Sequence, residues 1–264
     1  MSIYRVFQYA ETAARVLARI GDMPGPAQWR HVADARDLDT LIDRMRENGL
    51  HYWVRELPRT PDTAVIEQHL RRRLVDFFEE LVWLLPRRWL SVRHWLHRGG
   101  NLIFLNSLIN VEQPSLPDNV DPALLEIASM PRRDRNTALS LSGYHRYVDD
   151  AAPWHTWWED LPDACPRLSQ YERLKMDRIV SSIRRHLKMI RDAPPETSRN
   201  LDIQWQWRNE LTRDLRQSLC GDRFHVGLVL VYGVLKAMEF ERCRAMLVSV
   251  SRGWQTPDLL RGVS

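Results

Sequence analysis

Lysine is nearly missing from this chain: of its 38 basic residues only Lys175, Lys188 and Lys236 are lysine, and the rest are arginine. Cysteine is as scarce. Cys165, Cys220 and Cys243 are odd in number, widely spaced and without a CxxC pair, which argues against a disulfide framework and fits a reducing compartment. No GxxxxGK[ST] or GxGxxG loop is present to cradle phosphates, and no GxSxG elbow to present a serine. No stretch sustains alternation of apolar and polar residues at period two, which excludes half-buried strands and leaves an all-α chain. The longest apolar run, residues 224–235, is about a dozen residues, against the roughly 20 that a bilayer requires. Met1-Ser2-Ile3-Tyr4-Arg5 lacks the uninterrupted apolar core of a signal peptide, so the expected location is cytoplasmic, with any membrane contact peripheral.

What is present is helical periodicity. The organising stretch is residues 222–252: apolar on every side through Leu235, then amphipathic through Lys236, Glu239, Glu241, Arg242 and Arg244. An all-round apolar helix needs neighbours on all sides, so this reads as a central core helix. Ile3, Phe7, Ala10, Ala14 and Leu17 form one helical stripe that Gly21 closes. A short helix around Trp29 and Val32 follows. Asp37 reads as the N-cap of a helix carrying Leu38, Leu41, Ile42 and Met45, with Asn48-Gly49 as its stop. Ile66, Leu70, Leu74, Phe77, Leu81 and Leu84 line a long helix from near Asp62 to Pro86. Trp89, Val92 and Leu96 mark the next, and Asn101 is placed to cap the run Leu102 to Ile109. Prolines 114, 117 and 122 break the pattern at residues 111–122, which reads as a linker or lobe boundary. Leu174, Ile179, Ile183, Leu187 and Ile190 restore helix spacing, and Trp205, Leu211 and Leu215 mark a further helix ended by Cys220-Gly221. Thr256-Pro257-Asp258 caps a short terminal helix.

Chemical constellations are few. His94 and His97 share a helix face at i and i+3 without the further ligands of a metal site. Glu79-Glu80, Asp149-Asp150 and Glu159-Asp160 are adjacent carboxylates that a helix points apart, so they read as solvated acids. Arg71, Arg72 and Arg73 read as a solvated helix face. Trp154, Trp157 and Trp158 read as a hydrophobic plug against a neighbouring lobe more readily than as a ligand-stacking surface. Lys236 and Glu239, at i and i+3, are expected to form a local pair worth about 0.5 kcal/mol if exposed. Catalytic, cofactor and metal residues are expected to be none. The formal charge of +4, with arginines interleaved among eleven tryptophans, keeps one alternative open: an all-helical module binding nucleic acid or acidic proteins.

Three stretches in order resemble the C/d family of V-type (A/V-type) ATP synthase subunits, the central-stalk adaptors on the membrane rotor ring. The first comprises residues 13–20 around Arg15, residues 32–42, and Gly49-Leu50-His51-Tyr52. The second is Ile66-Glu67 with Leu70, leading through Leu85-Pro86 to Asn101-Leu102. The third is the organising helix, in which Lys236, Glu239 and Arg244 stand where the family carries Lys, Glu and Arg, followed by Gly253 and Pro257. Ile103 replaces the family's signature lysine, Arg242 stands where Asn is usual, and the chain is shorter than a three-lobed member. The resemblance implies two to three similar helical lobes in a funnel around a cavity: 1–112, 113–195, and 196–264 with the core helix. It implies a non-enzymatic rotor adaptor, peripheral on the cytoplasmic face of the membrane. Its partners would be the rotor-ring proteolipid subunits and the central-shaft subunits. Its family-motif positions would be Arg15, Asn101, Leu102, Lys236, Glu239 and Arg244.

Overall fold

The fold is all-α: in a computed structural model of the chain, helix accounts for 79% and no strand occurs among the described residues. Those are residues 3–148, 153–165, 170–192, 194, 201–218 and 227–254. The residues divide into two compact units, 1–73 with 171–264, and 74–170. Asp149-Asp150, Cys220-Gly221, residues 222–226 and the Thr256-Pro257-Asp258 cap lie outside the described residues. No described helix is long and apolar enough to cross a membrane.

The first unit begins with α1 (Ile3–Gly21), α2 (Pro26–Ala33), α3 (Leu38–Glu47) and the single turn α4 (His51–Val54). Asp37 caps α3 as expected: its carboxylate accepts from Thr40 N at 2.8 Å and from Thr40 Oγ1 at 2.9 Å. The helix stops at Asn48-Gly49, where Gly49 has φ +81 and a Cβ would stand 3.1 Å from the Asp22 carbonyl oxygen. The stripe expected along α1 is shifted. Among its described side chains, residues 10–21, Ala13 and Val16 are buried, whereas Ala14 is exposed and Leu17 half-buried; Ile3 and Phe7 of that stripe lie outside them. Alanines on adjacent positions fit either phase, so tertiary packing chose the face.

Helix α5 (Thr63–Leu84) opens on Asp62, whose Oδ1 accepts from Val65 N at 2.8 Å, and contributes its first turns to this unit. The unit is completed by α13 (Gln170–Arg191), α14 (Leu201–Ser218) and α15 (Gly227–Ser251). On α13, Ile179 and Ile183 are buried with Met176 and Val180, but Leu174 is 58% exposed, off the buried face. Helices α1, α3 and α14 pack on α15, which is buried through most of its length. Its second half is amphipathic in burial, with Glu241 and Arg244 on the half-exposed face, but three of its charged residues fall on the buried one. Lys236, Glu239, Arg242 and Cys243 are buried beside Phe240, Met246 and Leu247, and no residue of the helix is exposed.

The second unit takes the last turns of α5 and continues with α6 (Leu90–Asn101), α7 (Leu105–Asn110), α8 (Pro122–Ser129) and α9 (Arg132–Leu141). The short helices α10 (His145–Val148), α11 (Pro153–Glu159) and α12 (Leu161–Ala164) complete it. The break at residues 111–122 lies inside this unit, where Asn119 donates to Asp76 at 2.6 Å. Buried Arg135 stitches the turn, donating to the carbonyls of Leu108, Val111, Glu112 and Met130 at 3.2, 2.7, 2.7 and 2.9 Å. Those carbonyls lie in the last turn of a helix or just beyond it, where intrahelical donors run out.

Trp157 plugs the core of its own unit. Its ring stacks on Trp95 at 3.8 Å and 4°, and each indole N–H donates to the other residue's carbonyl, at 2.7 and 2.8 Å. Gly99 and Gly100 on α6 leave the room this needs against Trp157 and Phe78.

Candidate functional site

The family-motif residues do not all converge. Arg15 lies on an exposed face of α1, paired with Glu11 at 2.6 Å. Asn101 and Leu102 are buried in the second unit. Asn101 is not a side-chain cap for the following turn, contrary to expectation. It ends α6, donates back to the His97 carbonyl at 2.8 Å and accepts from Asp121 N at 3.1 Å, so it ties the helix end to the start of α8. Lys236, Glu239 and Arg244 lie on α15 in the first unit, and there the motif stretches meet.

Lys236 and Glu239 are one turn apart on α15 and form a buried ion pair, with side chains 9% and 2% exposed. The local pair expected at i and i+3 forms, but the exposed setting to which its modest energy applied does not hold, because α4 covers it. Trp53 donates its indole N–H to the same carboxylate oxygen at 2.6 Å. The Lys236 ammonium lies 5.2 Å from the Trp53 ring centroid and 5.4 Å from that of Tyr52. Aromatic faces stabilise an ammonium that has lost its water. Oε1 thus carries both donors, while Oε2 is buried without a partner among the described residues.

Around this pair the neighbours are locked in turn. Tyr52 donates its hydroxyl to the Arg73 carbonyl at 3.1 Å, and Arg73 Nε donates to the Tyr52 carbonyl at 2.9 Å with its guanidinium 4.3 Å over the ring. Arg73 is therefore a packing residue and not part of a solvated face. His69 Nε2 contacts the Trp53 carbonyl at 3.0 Å, and burial holds its pKa below 6.5. Near the far end of α15, Arg244 reaches Glu67 on α5 with Nε 2.9 and 3.0 Å from the two carboxylate oxygens and Nη2 2.8 Å from Oε1. Burial pushes the Cys243 thiol well above its usual pKa and keeps it protonated, the opposite of an activated nucleophile.

Beside the pair a cleft of about 50 Å³ opens between α2, α14 and α15, lined among others by Trp29, Trp205, Arg208, Asn209, Glu239 and Arg242. Arg242 is 5% exposed. Its guanidinium lies 4.7 Å from the Trp29 ring centroid and 5.7 Å from that of Trp205, and Nη2 donates to Asn209 Oδ1 at 2.8 Å. Arg208 lies 4.8 Å over Trp205.

The sequence missed Trp53, Trp29, Trp205 and Asn209. Each lies far along the chain from the α15 residue it contacts, and no spacing rule links them. His94 is exposed and His97 half-buried, and among the described residues no group of three His, Cys, Asp or Glu is placed to hold a metal ion. No family model, no curated protein and no solved structure matches this chain.

Proposed function

We propose that this chain is a non-enzymatic rotor adaptor of a V/A-type rotary ATPase, linking the ion-translocating membrane ring to the central shaft and transmitting torque. One observation carries the reading. The three stretches that resemble the C/d family, far apart in sequence, bear on one another: Glu67 of the second grips Arg244 of the third, and Tyr52 of the first lies beside Lys236 of the third. Motif residues that are structurally coupled make a chance likeness of three separate segments a poorer account.

The physical demands of the role agree with the fold. A torque adaptor needs stiff helices around filled cores, because close-packed interiors transmit strain with little compression. Helix α15, buried through most of its length and cross-tied to α4 and α5, supplies such a stiff element. In this reading the compact units serve as lobes of a funnel that receives the shaft tip at the cytoplasmic face of the membrane. The alternative, a module binding nucleic acid or acidic proteins, draws less support. Trp29, Trp53, Trp89, Trp95, Trp157, Trp158 and Trp205 are buried, so they offer no stacking platform for bases.

The test is affinity purification of the tagged chain from detergent-solubilised membranes of its source. The expected result is recovery with the ring proteolipid and the shaft proteins in one rotary complex. Recovery of the tagged chain without the ring and shaft proteins would end the reading.

A further inference from the structure

Arg242 is the side chain that the adaptor reading does not use. It is buried, it stands in the cleft between α2, α14 and α15, and among the described residues it has no carboxylate partner. Buried charges in proteins are ordinarily paired, because a guanidinium stripped of water and left uncompensated is strongly disfavoured. Its partners are one amide oxygen, of Asn209, and two indole rings, of Trp29 and Trp205. Together they orient the guanidinium without neutralising it.

From this arrangement we infer that the cleft over Arg242 is a binding site for one oxyanion, a carboxylate or a phosphate, taken by the Arg242 and Arg208 guanidiniums together. The charge in the lining has the right sign: its one carboxylate, Glu239, is already matched by Lys236 from within the core and so leaves Arg242 uncompensated, while Arg208 feels Glu241 from outside the cleft. Guanidinium forks recognise planar and tetrahedral oxyanions by paired N–H bonds. Asn209, whose oxygen is turned to Arg242, lines the cleft with its amide, whereas the Thr212 hydroxyl already donates to the Arg208 carbonyl at 2.9 Å. Size decides the class. About 50 Å³ of free space holds a few water-sized groups, at roughly 10–15 Å³ each, so an oxyanion fits and a nucleotide does not. Burial also lowers the pKa of Arg242 to about 10, and an anion in the cleft would raise it.

Two sources present this chemistry, a free small anion and an acidic side chain of a partner protein. The test uses the full chain and reads thermal melting and titration calorimetry at fixed ionic strength, with acetate, inorganic phosphate or an Asp-rich peptide as probe and chloride as control. The expected result is saturable stabilisation that chloride does not reproduce, absent in Arg242→Met and weakened at least about tenfold in Arg208→Gln, the loss of one charged hydrogen bond. Arg208 is half-buried, so its variant remains informative even if Arg242→Met folds poorly. Acetate and phosphate acting as well as the peptide assigns a free anion. The peptide acting at far lower concentration assigns a partner's carboxylate. No stabilisation by any probe, or stabilisation unchanged in Arg208→Gln, overturns the inference. Neither outcome bears on co-purification with a rotary complex.

Discussion

Trp53 donates its indole N–H to Oε1 of Glu239 at 2.6 Å across 186 residues of sequence, and so closes the N-terminal helices onto the core helix. The same oxygen meets the Lys236 ammonium, and both side chains of the pair are almost fully enclosed. Removing one member leaves the other charged and buried. Glu239→Ala is therefore expected to lower stability by about 3–5 kcal/mol in urea unfolding, and Lys236→Met with Glu239→Leu to recover most of that loss. A Glu239→Ala chain as stable as the parent would show that water reaches Lys236.

Glu67 and Arg244 pair across α5 and α15 at a partly exposed site, with side chains 20% and 40% accessible. Solvent screening keeps such a pair modest, but its geometry is a fork. A double-mutant cycle with Glu67→Gln and Arg244→Met is expected to give a coupling of about 1 kcal/mol, falling with added salt. Strictly additive effects would mean that the pair contributes nothing.

Two glycines should respond in opposite directions to alanine. At Gly99 a Cβ would lie 2.7 Å from Trp157 Cε2 and closer still to Cζ2, so the Trp95–Trp157 stack must move. Gly99→Ala is expected to cost about 1–3 kcal/mol and to alter the near-ultraviolet circular dichroism of the stacked indoles. At Gly21, the last residue of α1, nothing stands within 4 Å of the added carbon. Gly21→Ala is expected to stabilise by about 0.5–1 kcal/mol through helix propensity. Equal effects at the two sites would contradict the packing described for α6.

Asp37 supplies the pH-dependent contribution. Hydrogen bonds from the Thr40 backbone and side chain hold its carboxyl below the ordinary 3.8. A depressed folded-state pKa contributes stability that is fully present above the unfolded value and is lost as pH falls through the folded one. The stability difference between the parent and Asp37→Ala should be constant near neutrality and shrink in acid below 3.8. A difference that does not vary with pH would mean the cap acts only through neutral hydrogen bonding.

Several elements could be read from local pattern. Asp37 with Asn48-Gly49 bracketed α3, and Asp62 with Pro86 bracketed α5, because capping and stop chemistry act within one turn of the chain. The buried residues of α3 and α14 were legible as stripes. On the described part of α1 the buried face lies one residue from the expected stripe, since Ala13 and Ala14 have equal claims until a partner helix selects one.

The site was half legible. Lys236, Glu239, Arg244 and Glu67 carried a recognisable order, but nothing local showed that the ion pair is buried or which residues enclose it. The tryptophan cluster was visible as a plug, while its partner, Trp95, was not.

Sequence alone determined the class of structure: period-3.6 stripes, caps and the absence of alternating strands can only become helices, since those signals are set by backbone geometry over a few residues. Tertiary structure decided everything that depends on contact at a distance. It put Trp53 on Glu239, brought Glu67 to Arg244, and buried Lys236, Glu239 and Arg242 of α15, which spacing alone did not place. The physical reason is that desolvation belongs to the surroundings of a side chain, and those are supplied by segments the local pattern does not contain.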